Sequence, residues 1–447
     1  MTIKQHTFPN GFQFIYEKPK TKLPISSIHL FCDLGSIYET PQVRGVSHFI
    51  EHMCFKGTKK IPKAKDIFVE YDKIGAYFNA YTVERFTCYT VKCNDNYIEN
   101  SIDIVSDMMM NSTFNKKEFT KEYKVVIEES TGDENDPEDL ITRLNNQLIY
   151  KGSSYENPVD CLDYHKASNG LHHEDVVDIY KLFYLPQRMV LSIISNIPFD
   201  TIVKFLKKTY FMVDRKTSLI VDNFPVSLTI FPQKKIQYKI VKKSGIITNL
   251  LTLSFRTCNH LSSDKYVLDL LKQVLAGGMS ARLFLLLREN NGLTYSSSVE
   301  TCYHEHTGEF SIFTECDSQK MLSTPGVLPL IIELLCDLIE NGICQKEFDV
   351  AKGYLKGKML LDIEDNDVPC EHNGTCALLY ANTMLPIVPY SKIYETYYAN
   401  ITKEEVNRVI KKYFRREFMN VCLVGEHVPS LGSVEKITER LLTTRTL

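Results

Sequence analysis

The residues best suited to chemistry are His48, Glu51 and His52, which come from the segment HFIEH. On a helix, positions i and i+4 lie on one face about one turn apart, so both imidazoles can reach a single metal ion. Neutral imidazole nitrogens favour zinc, which catalytic sites hold with one open coordination position. Glu51 can approach the same point without binding the metal and act as general base toward a metal-activated water. The competing interpretation is a solvated helix face that carries these three side chains.

A third protein ligand must come from another part of the chain, and the acidic segment 122–129 is a candidate. Glu122 and Glu129 are seven residues apart and share one face of a predicted helix, whereas Glu128 is rotated away from that face. Two carboxylates spaced in this way could provide one zinc ligand and one residue that hydrogen-bonds a ligand. Taken alone, the segment is explained better as an acidic helix that faces solvent.

Helices and strands must bring these residues together, and the hydrophobic pattern predicts both kinds of element. Apolar residues at helical spacing predict helices at residues 46–55, 64–74 and 98–110. A long, mostly helical stretch is predicted at 116–149, interrupted near 132–137, and a further helix is predicted to begin at Phe199. Runs of β-branched and aromatic residues predict strands at 26–33, at 189–194 and, as a pair with a turn at 83–85, within 77–92. The two histidines therefore fall on a helix between strands.

The second half repeats the order strand, helix, hairpin, helices and strand, between residues 248 and 424. Two blocks with the same order indicate two similar domains formed by duplication. We predict an α+β fold in which each domain is an antiparallel-rich sheet covered by helices. The domains are assigned to residues 1–215 and 236–447, with a linker at residues 216–235.

Five motifs carry the residues that could take part in catalysis or binding: GVSHFIEHMCFKGTKKIP from Gly45, NAYTVERFTCYTV from Asn79, EYKVVIEES from Glu122, GGMSARLF from Gly277 and RENNGLTY from Arg288. Their order and spacing resemble those of the inverzincin metallopeptidases of the pitrilysin and mitochondrial processing peptidase family. The resemblance covers most of the chain. It implies a processing-peptidase-like pair of domains that forms half of a clamshell.

The resemblance also implies a complete set of metal and catalytic residues. It makes Glu129, rather than Glu128, the third zinc ligand beside the two histidines, and it places Glu122 near the metal. With one zinc ion per chain and Glu51 as general base, the expected activity is that of a zinc-dependent endopeptidase. The alternative is a non-catalytic scaffold or partner subunit of the same fold, because a fold does not determine a function.

A peptide substrate and a partner chain are further implications of the resemblance. An extended peptide would add as a strand to the edge that carries Asn79, Ala80 and Thr82. Arg288 and Tyr295 match residues that contact the bound peptide and the reacting carbonyl. Relatives with four such domains close two halves around a chamber. We therefore expect this chain to pair, either as a homodimer or as a heterodimer with a related subunit.

Composition argues against several other classes of protein. The 447 residues carry 52 basic and 55 acidic side chains, a net charge of −3, so nucleic acid is not an expected partner. The sequence contains no uninterrupted run of about 18 apolar residues, so we expect no membrane-spanning helix. The 13 cysteines are scattered and odd in number, which favours a reducing compartment over a disulfide framework. No signal or transit peptide is visible, and we expect an intracellular, soluble and cytoplasmic protein.

Overall fold

The computed structural model describes residues 2–159, 170–215, 226, 228, 230–381, 383 and 385–442. These residues form two compact units, and each unit includes a segment from the opposite half of the sequence. The first unit takes Leu360–Ile393, and the second takes Asp133–Glu156. Most of the predicted linker, including residues 216–225, lies outside the described residues. The domain boundaries assigned from the sequence therefore stay a prediction.

The first unit is built on a six-stranded sheet. Its strands are β1 (Lys4–Thr7), β2 (Gln13–Glu17), β3 (Ile25–Cys32), β4 (Tyr77–Thr82), β5 (Thr87–Asn94) and β6 (Met189–Ile194). Their order across the sheet is β1-β2-β6-β3-β5-β4. All neighbours run antiparallel except β2 and β6, which are parallel. β4, which carries the predicted peptide-binding residues, is therefore an edge strand.

The second unit contains a five-stranded sheet of the same design. Its strands are β7 (Gln237–Lys242), β8 (Thr248–Thr257), β9 (Thr294–Tyr303), β10 (Gly308–Asp317) and β11 (Met419–Gly425). Their order is β7-β11-β8-β10-β9, and only β7 and β11 run parallel. Without β1, the order of the first sheet matches this order strand for strand. The predicted repeat and the antiparallel-rich α+β fold are confirmed.

Helices surround both sheets. The helices that start before residue 210 are α1 (Val46–Cys54), α2 (Ala64–Lys73), α3 (Ile98–Asn111), α4 (Lys116–Asn135), α5 (Pro137–Ile149), α6 (His173–Phe183) and α7 (Phe199–Leu206). The later helices are α8 (Asp264–Ala276), α9 (Val327–Asn341), α10 (Gln345–Asp362), α11 (Asp367–Leu379), α12 (Tyr390–Ile393), α13 (Lys403–Tyr413) and α14 (Leu431–Thr438). Within the described part of the chain, none of these helices is long and apolar enough to span a membrane.

The predicted interruption of the long helix near residues 132–137 is confirmed as the break between α4 and α5. The side chain of Asp136 accepts hydrogen bonds from the backbone N–H groups of Glu138 and Asp139, and Pro137 occupies the first turn. An aspartate cap followed by proline starts a new helix because it satisfies free N–H groups and presets the backbone angle. The cap and the proline therefore account for the end of α4 and the start of α5 at this point of the chain.

α5 and α11 each cover the sheet built from the opposite half of the sequence. α5 packs on β8 and β11, and α11 packs on β3 and β6, which are the equivalent strands of the other sheet. A Cβ atom on Gly374 of α11 would lie 2.0 Å from the ring of Phe31. Only glycine allows this close approach of helix and sheet. The sequence did not predict that α5 and α11 each pack on the sheet of the opposite half, because a helical pattern does not show which sheet a helix will cover.

The sheet of the first unit is covered on both faces. On one face, α1, α3 and α6 contribute Phe49, Val105 and Phe183 to a large apolar core. On the other face, Ala377 of α11 packs in a smaller cluster with Phe31 of β3. Burial on both faces fixes the positions of the central strands and of α1. The helix that carries His48, Glu51 and His52 is thus held in place by the packed core.

Candidate metal centre

α1 is anchored by its apolar face and by a buried cap at its first turn. Phe49 and Ile50 are fully buried in the core of the first unit. The carboxylate of Glu39 accepts hydrogen bonds from the N–H groups of Gly45, at 2.7 Å, and Ser47, at 2.9 Å. Burial raises the pKa of the Glu39 carboxyl to about 7, although these backbone bonds act to lower it. The cap fixes the start of the helix that carries both histidines.

α4 is held against α1 by aromatic contacts. The ring of Phe49 on α1 meets the ring of Phe119 on α4 edge to face, with ring centroids 4.8 Å apart, and that of Tyr123 at 6.0 Å. Val126 is buried on the same side of α4. This packing directs the acidic face of α4, with Glu122 and Glu129, toward the histidines of α1.

Three potential zinc donors converge where α1 meets α4: His48, His52 and Glu129, whose ligating atoms all lie within 4.8 Å of one another. The Nε2 atoms of the two histidines are 3.2 Å apart, and Nε2 of His52 is 3.4 Å from Oε2 of Glu129. Tetrahedral donors at about 2.05 Å from a zinc ion lie roughly 3.3 Å from one another. Both distances, and the donor types, therefore fit a single zinc ion.

His52 lies between the two glutamates of α4. Its Nδ1 atom is 2.8 Å from Oε1 of Glu122, on the side of the ring opposite to Glu129. Lys56 donates to the other oxygen of Glu122 at 2.7 Å. Burial acts to raise the pKa of the Glu122 carboxyl, but the bonds with His52 and Lys56 bring it below its usual value. An ionised Glu122 keeps the imidazole proton on Nδ1 and leaves Nε2 free to bind a metal.

The pKa of His52 reflects the same surroundings. Burial lowers the pKa of its imidazole, but the Glu122 hydrogen bond and the charges of Glu51, Glu129 and Glu122 raise it above its ordinary value. A metal must replace that extra proton, because only the neutral ring is a ligand. The acidic surroundings thus favour a cation at Nε2, whether this is a proton or a metal ion.

Glu51 is a buried carboxyl beside the donor cluster and is only 7% exposed. The hydroxyl of Thr82 donates to its Oε2 atom at 2.7 Å. Burial raises the pKa of Glu51, and this effect outweighs the lowering by the Thr82 bond and by the charge of His52. A carboxyl with a raised pKa is suited to take up a proton and return it near neutral pH.

The predicted peptide-binding residues lie on β4, which packs against α1. Phe78 and Ala80 face the core that contains α1, and Tyr81 faces the opposite cluster. Asn79 is exposed, and its Oδ1 atom accepts a hydrogen bond from the N–H of Ala80 at 2.9 Å. The side-chain oxygen of Asn79 therefore already accepts a hydrogen bond from one backbone N–H group of the edge strand, that of Ala80. Thr82, predicted to bind peptide, has its hydroxyl directed to Glu51.

Arg288 and Tyr295 are brought together in the second unit. Arg288 belongs to a π-helix, Phe284–Glu289, and Tyr295 lies at the start of β9. The guanidinium of Arg288 lies 4.6 Å from the centroid of the Tyr295 ring and donates to the Tyr295 carbonyl oxygen at 3.2 Å. Tyr295 is 81% exposed. The phenol of Tyr295 is thus accessible to a ligand, and the cation–π contact with Arg288 holds its ring in place.

Two residues of this region were missed by the sequence reasoning. Lys56 lies two residues beyond the end of α1 and four positions after the predicted ligand His52, and this nearness in sequence was a signal that could have identified it. Glu39 precedes the helix by several residues and caps it from a separate turn. A capping pattern places the acidic residue at the helix start or within its first turn, so the sequence carries no local signal for Glu39.

Comparison with known protein families gives two matches along the chain. Residues 15–162 match the family described as Insulinase (Peptidase family M16), and residues 170–355 match the Peptidase M16 inactive domain. An uncharacterized zinc protease of Bacillus subtilis is 31% identical over 379 residues, covering 84% of this chain and 88% of the relative. Another uncharacterized zinc protease, from Streptomyces coelicolor, is 25% identical over 416 residues, covering 93% and 88%.

Solved structures share the fold at low sequence identity. A protease from Helicobacter pylori superimposes with a TM-score of 0.86 at 18% identity, covering 95% of this chain and 99% of that protein. The periplasmic protease PqqL of Escherichia coli gives a TM-score of 0.80 at 15% identity, covering 100% of this chain and 50% of PqqL. This chain therefore corresponds in fold to about half of PqqL.

Fold and donor cluster together define a two-domain zinc protease. The chain belongs to peptidase family M16, the insulinase family, and the resemblance noted in the sequence is confirmed.

Proposed function

We propose that this protein is a zinc-dependent endopeptidase that holds one zinc ion per chain and cleaves extended peptides. The observation that carries the proposal is the cluster of His48, His52 and Glu129 beside the buried carboxyl of Glu51. All four residues fall within the region that matches the insulinase family, and outside the region that matches the inactive domain. Bound there, zinc would polarise the scissile carbonyl and lower the pKa of a water.

The roles of the surrounding side chains follow from their contacts. Glu51 takes a proton from the attacking water and passes it to the nitrogen of the leaving amine. Glu122 holds the ring of His52 through Nδ1, and Lys56 keeps Glu122 in place. The raised pKa of Glu51, which comes mainly from burial, supports a role in which the same group is first a base and then an acid.

We propose that the substrate binds along β4 as an added strand. The free edge of β4 offers backbone donors and acceptors that an extended peptide can satisfy. Binding at Ala80 requires a peptide carbonyl to replace the Asn79 amide oxygen that now accepts from this N–H group. Asn79 would then turn to the peptide backbone. Specificity for an extended chain, rather than for a particular side chain, follows from this mode of binding.

Cleavage of a peptide with both ends blocked tests the proposed activity. The zinc-loaded protein is incubated with an acetylated and amidated peptide that carries an internally quenched fluorophore. Cleavage by an endopeptidase should increase the fluorescence, and mass spectrometry should identify fragments from an interior bond. Both are expected because binding along an edge strand needs no free terminus. Folded, zinc-loaded protein that leaves a diverse set of such peptides intact would support the non-catalytic alternative, a scaffold or partner subunit.

Pairing of two chains would complete the site, and we propose that Arg288 and Tyr295 of one copy act on the peptide held by the other. This proposal is supported by the match of the whole chain to one half of PqqL, and a homodimer with two-fold symmetry is the simplest arrangement. A heterodimer with a related subunit is the other form of the proposal. The expected cytoplasmic location stays a prediction, and PqqL is described as periplasmic.

Mixing two inactive variants distinguishes action between chains from action within one chain. Glu51→Gln and Tyr295→Phe are each expected to be nearly inactive alone. If the residues act between chains, a mixed dimer collects both lesions in one site and leaves the other intact, so up to about half of the activity returns. If they act within one chain, each site of the mixed dimer carries a lesion and no activity returns. A fully active monomer in sedimentation would contradict pairing altogether.

A further inference from the structure

Thr82 connects the proposed peptide-binding strand to the proposed base. It is the last residue of β4, and its hydroxyl donates to Oε2 of Glu51 at 2.7 Å. A hydrogen bond from a hydroxyl to a carboxylate is stronger than one between neutral groups. The terminal torsion of a glutamate is broad, so a carboxylate needs such a partner to keep one orientation. The contact occupies Oε2 and leaves Oε1 as the atom that can meet a water.

The direction of this hydrogen bond is set by the neighbouring strand. Thr82 pairs with Thr87 of β5, and the two hydroxyl oxygens are 3.3 Å apart. Thr87 donates its own proton to the carbonyl oxygen of Leu34 at 2.9 Å. Thr87 therefore has no second proton to give to Thr82. The Thr82 proton is left for Glu51, which is the closer acceptor and carries the charge.

We propose that Thr82 is a positioning residue that holds Glu51 in its catalytic orientation, rather than a residue that recognises the peptide through its side chain. The inference rests on the proposed function, because it assigns Thr82 its effect through the general base. It also explains why the last position of the edge strand is a hydroxyl residue whose side chain is turned toward α1. A β-branched residue at this position keeps the strand geometry and fixes the hydroxyl.

Three variants separate positioning from peptide recognition. Thr82→Val keeps the shape of the side chain and removes the hydroxyl, and Thr82→Ser keeps the hydroxyl. Thr90→Val is the matched control, because the Thr90 hydroxyl bonds to a backbone carbonyl, that of Asn79, instead of a carboxylate. The rates are measured with the end-blocked quenched peptide. Zinc content is measured on each protein, and peptide affinity is measured by fluorescence anisotropy in the uncleaving Glu51→Gln background.

The expected result is a loss of turnover without a loss of binding. Thr82→Val should lower kcat by roughly 10- to 100-fold, as expected for a lost hydrogen bond to a charged group, with KM within about threefold. Thr82→Ser should recover kcat to within about threefold of wild type. The kcat of the control, Thr90→Val, should also lie within about threefold of wild type. Zinc content should not change. In the Glu51→Gln background, Thr82→Val should leave peptide affinity unaltered.

Two results would overturn the inference while leaving the proposed function intact. One is Thr82→Val with wild-type kcat although Glu51→Gln is inactive, since Glu51 would then need no partner. The other is weaker peptide binding by Thr82→Val in the Glu51→Gln background, since Thr82 would then recognise the peptide directly. Wild-type protein that binds zinc and cleaves no peptide would refute the proposed function and this inference with it.

Discussion

Alanine at His48, His52 or Glu129 should each remove most of the bound zinc, whereas alanine at Glu128 should leave the zinc content near that of wild type. Three protein donors are needed to hold zinc with one open position, and the distances between the donor atoms fit one ion. Glu128 is the matched control, because it is an exposed glutamate one position away on the same helix. Elemental analysis after dialysis measures the loss.

The thermal unfolding of these variants shows whether a loss of zinc is direct. His48, His52 and Glu129 are not part of the apolar core, so their alanine variants should unfold near the temperature of metal-free wild type. Glu129→Ala with full zinc, together with Glu128→Ala without zinc, would contradict the ligand assignment. Such a result would mean that α4 presents the face with Glu128, and not the face with Glu129, to α1.

Glutamine at Glu51 should lower turnover by about 10²- to 10⁴-fold while zinc and peptide remain bound. Glutamine keeps the size of the side chain and can still accept the Thr82 hydrogen bond, but it cannot take a proton from water. Glu128→Gln, the same substitution at an exposed position, should cleave at the wild-type rate. Initial rates with the quenched peptide and zinc content per chain are the two measurements.

Much of the fold was predictable because its signals are local. The helical spacing around His48 and His52 predicted α1, and the seven-residue spacing of Glu122 and Glu129 predicted a shared face that both glutamates do present to His52. The polar break at residues 83–85 predicted the turn between β4 and β5. Periodicity and turn residues carry this information within a few positions.

Other features depend on contacts between distant parts of the chain, and local patterns do not encode them. The parallel pairing of β2 with β6 joins residues far apart in sequence, as does the packing of α11 on β3. The same applies to the cap that Glu39 provides and to the hydroxyl of Thr82 on Glu51. The choice of Glu129 over Glu128 came from the resemblance, because the acidic segment taken alone was explained better as a helix that faces solvent.

Endopeptidase activity with Glu51 as general base is tested by the rate of cleavage of the end-blocked peptide per bound zinc ion, measured side by side for wild type and Glu51→Gln. We expect one zinc per chain in both proteins, fragments from an interior bond with wild type, and a rate at least about 100-fold lower for the variant. Equal rates would exclude Glu51 as the base. Zinc-loaded, folded wild type that binds the peptide without cleaving it would contradict the assignment as an endopeptidase.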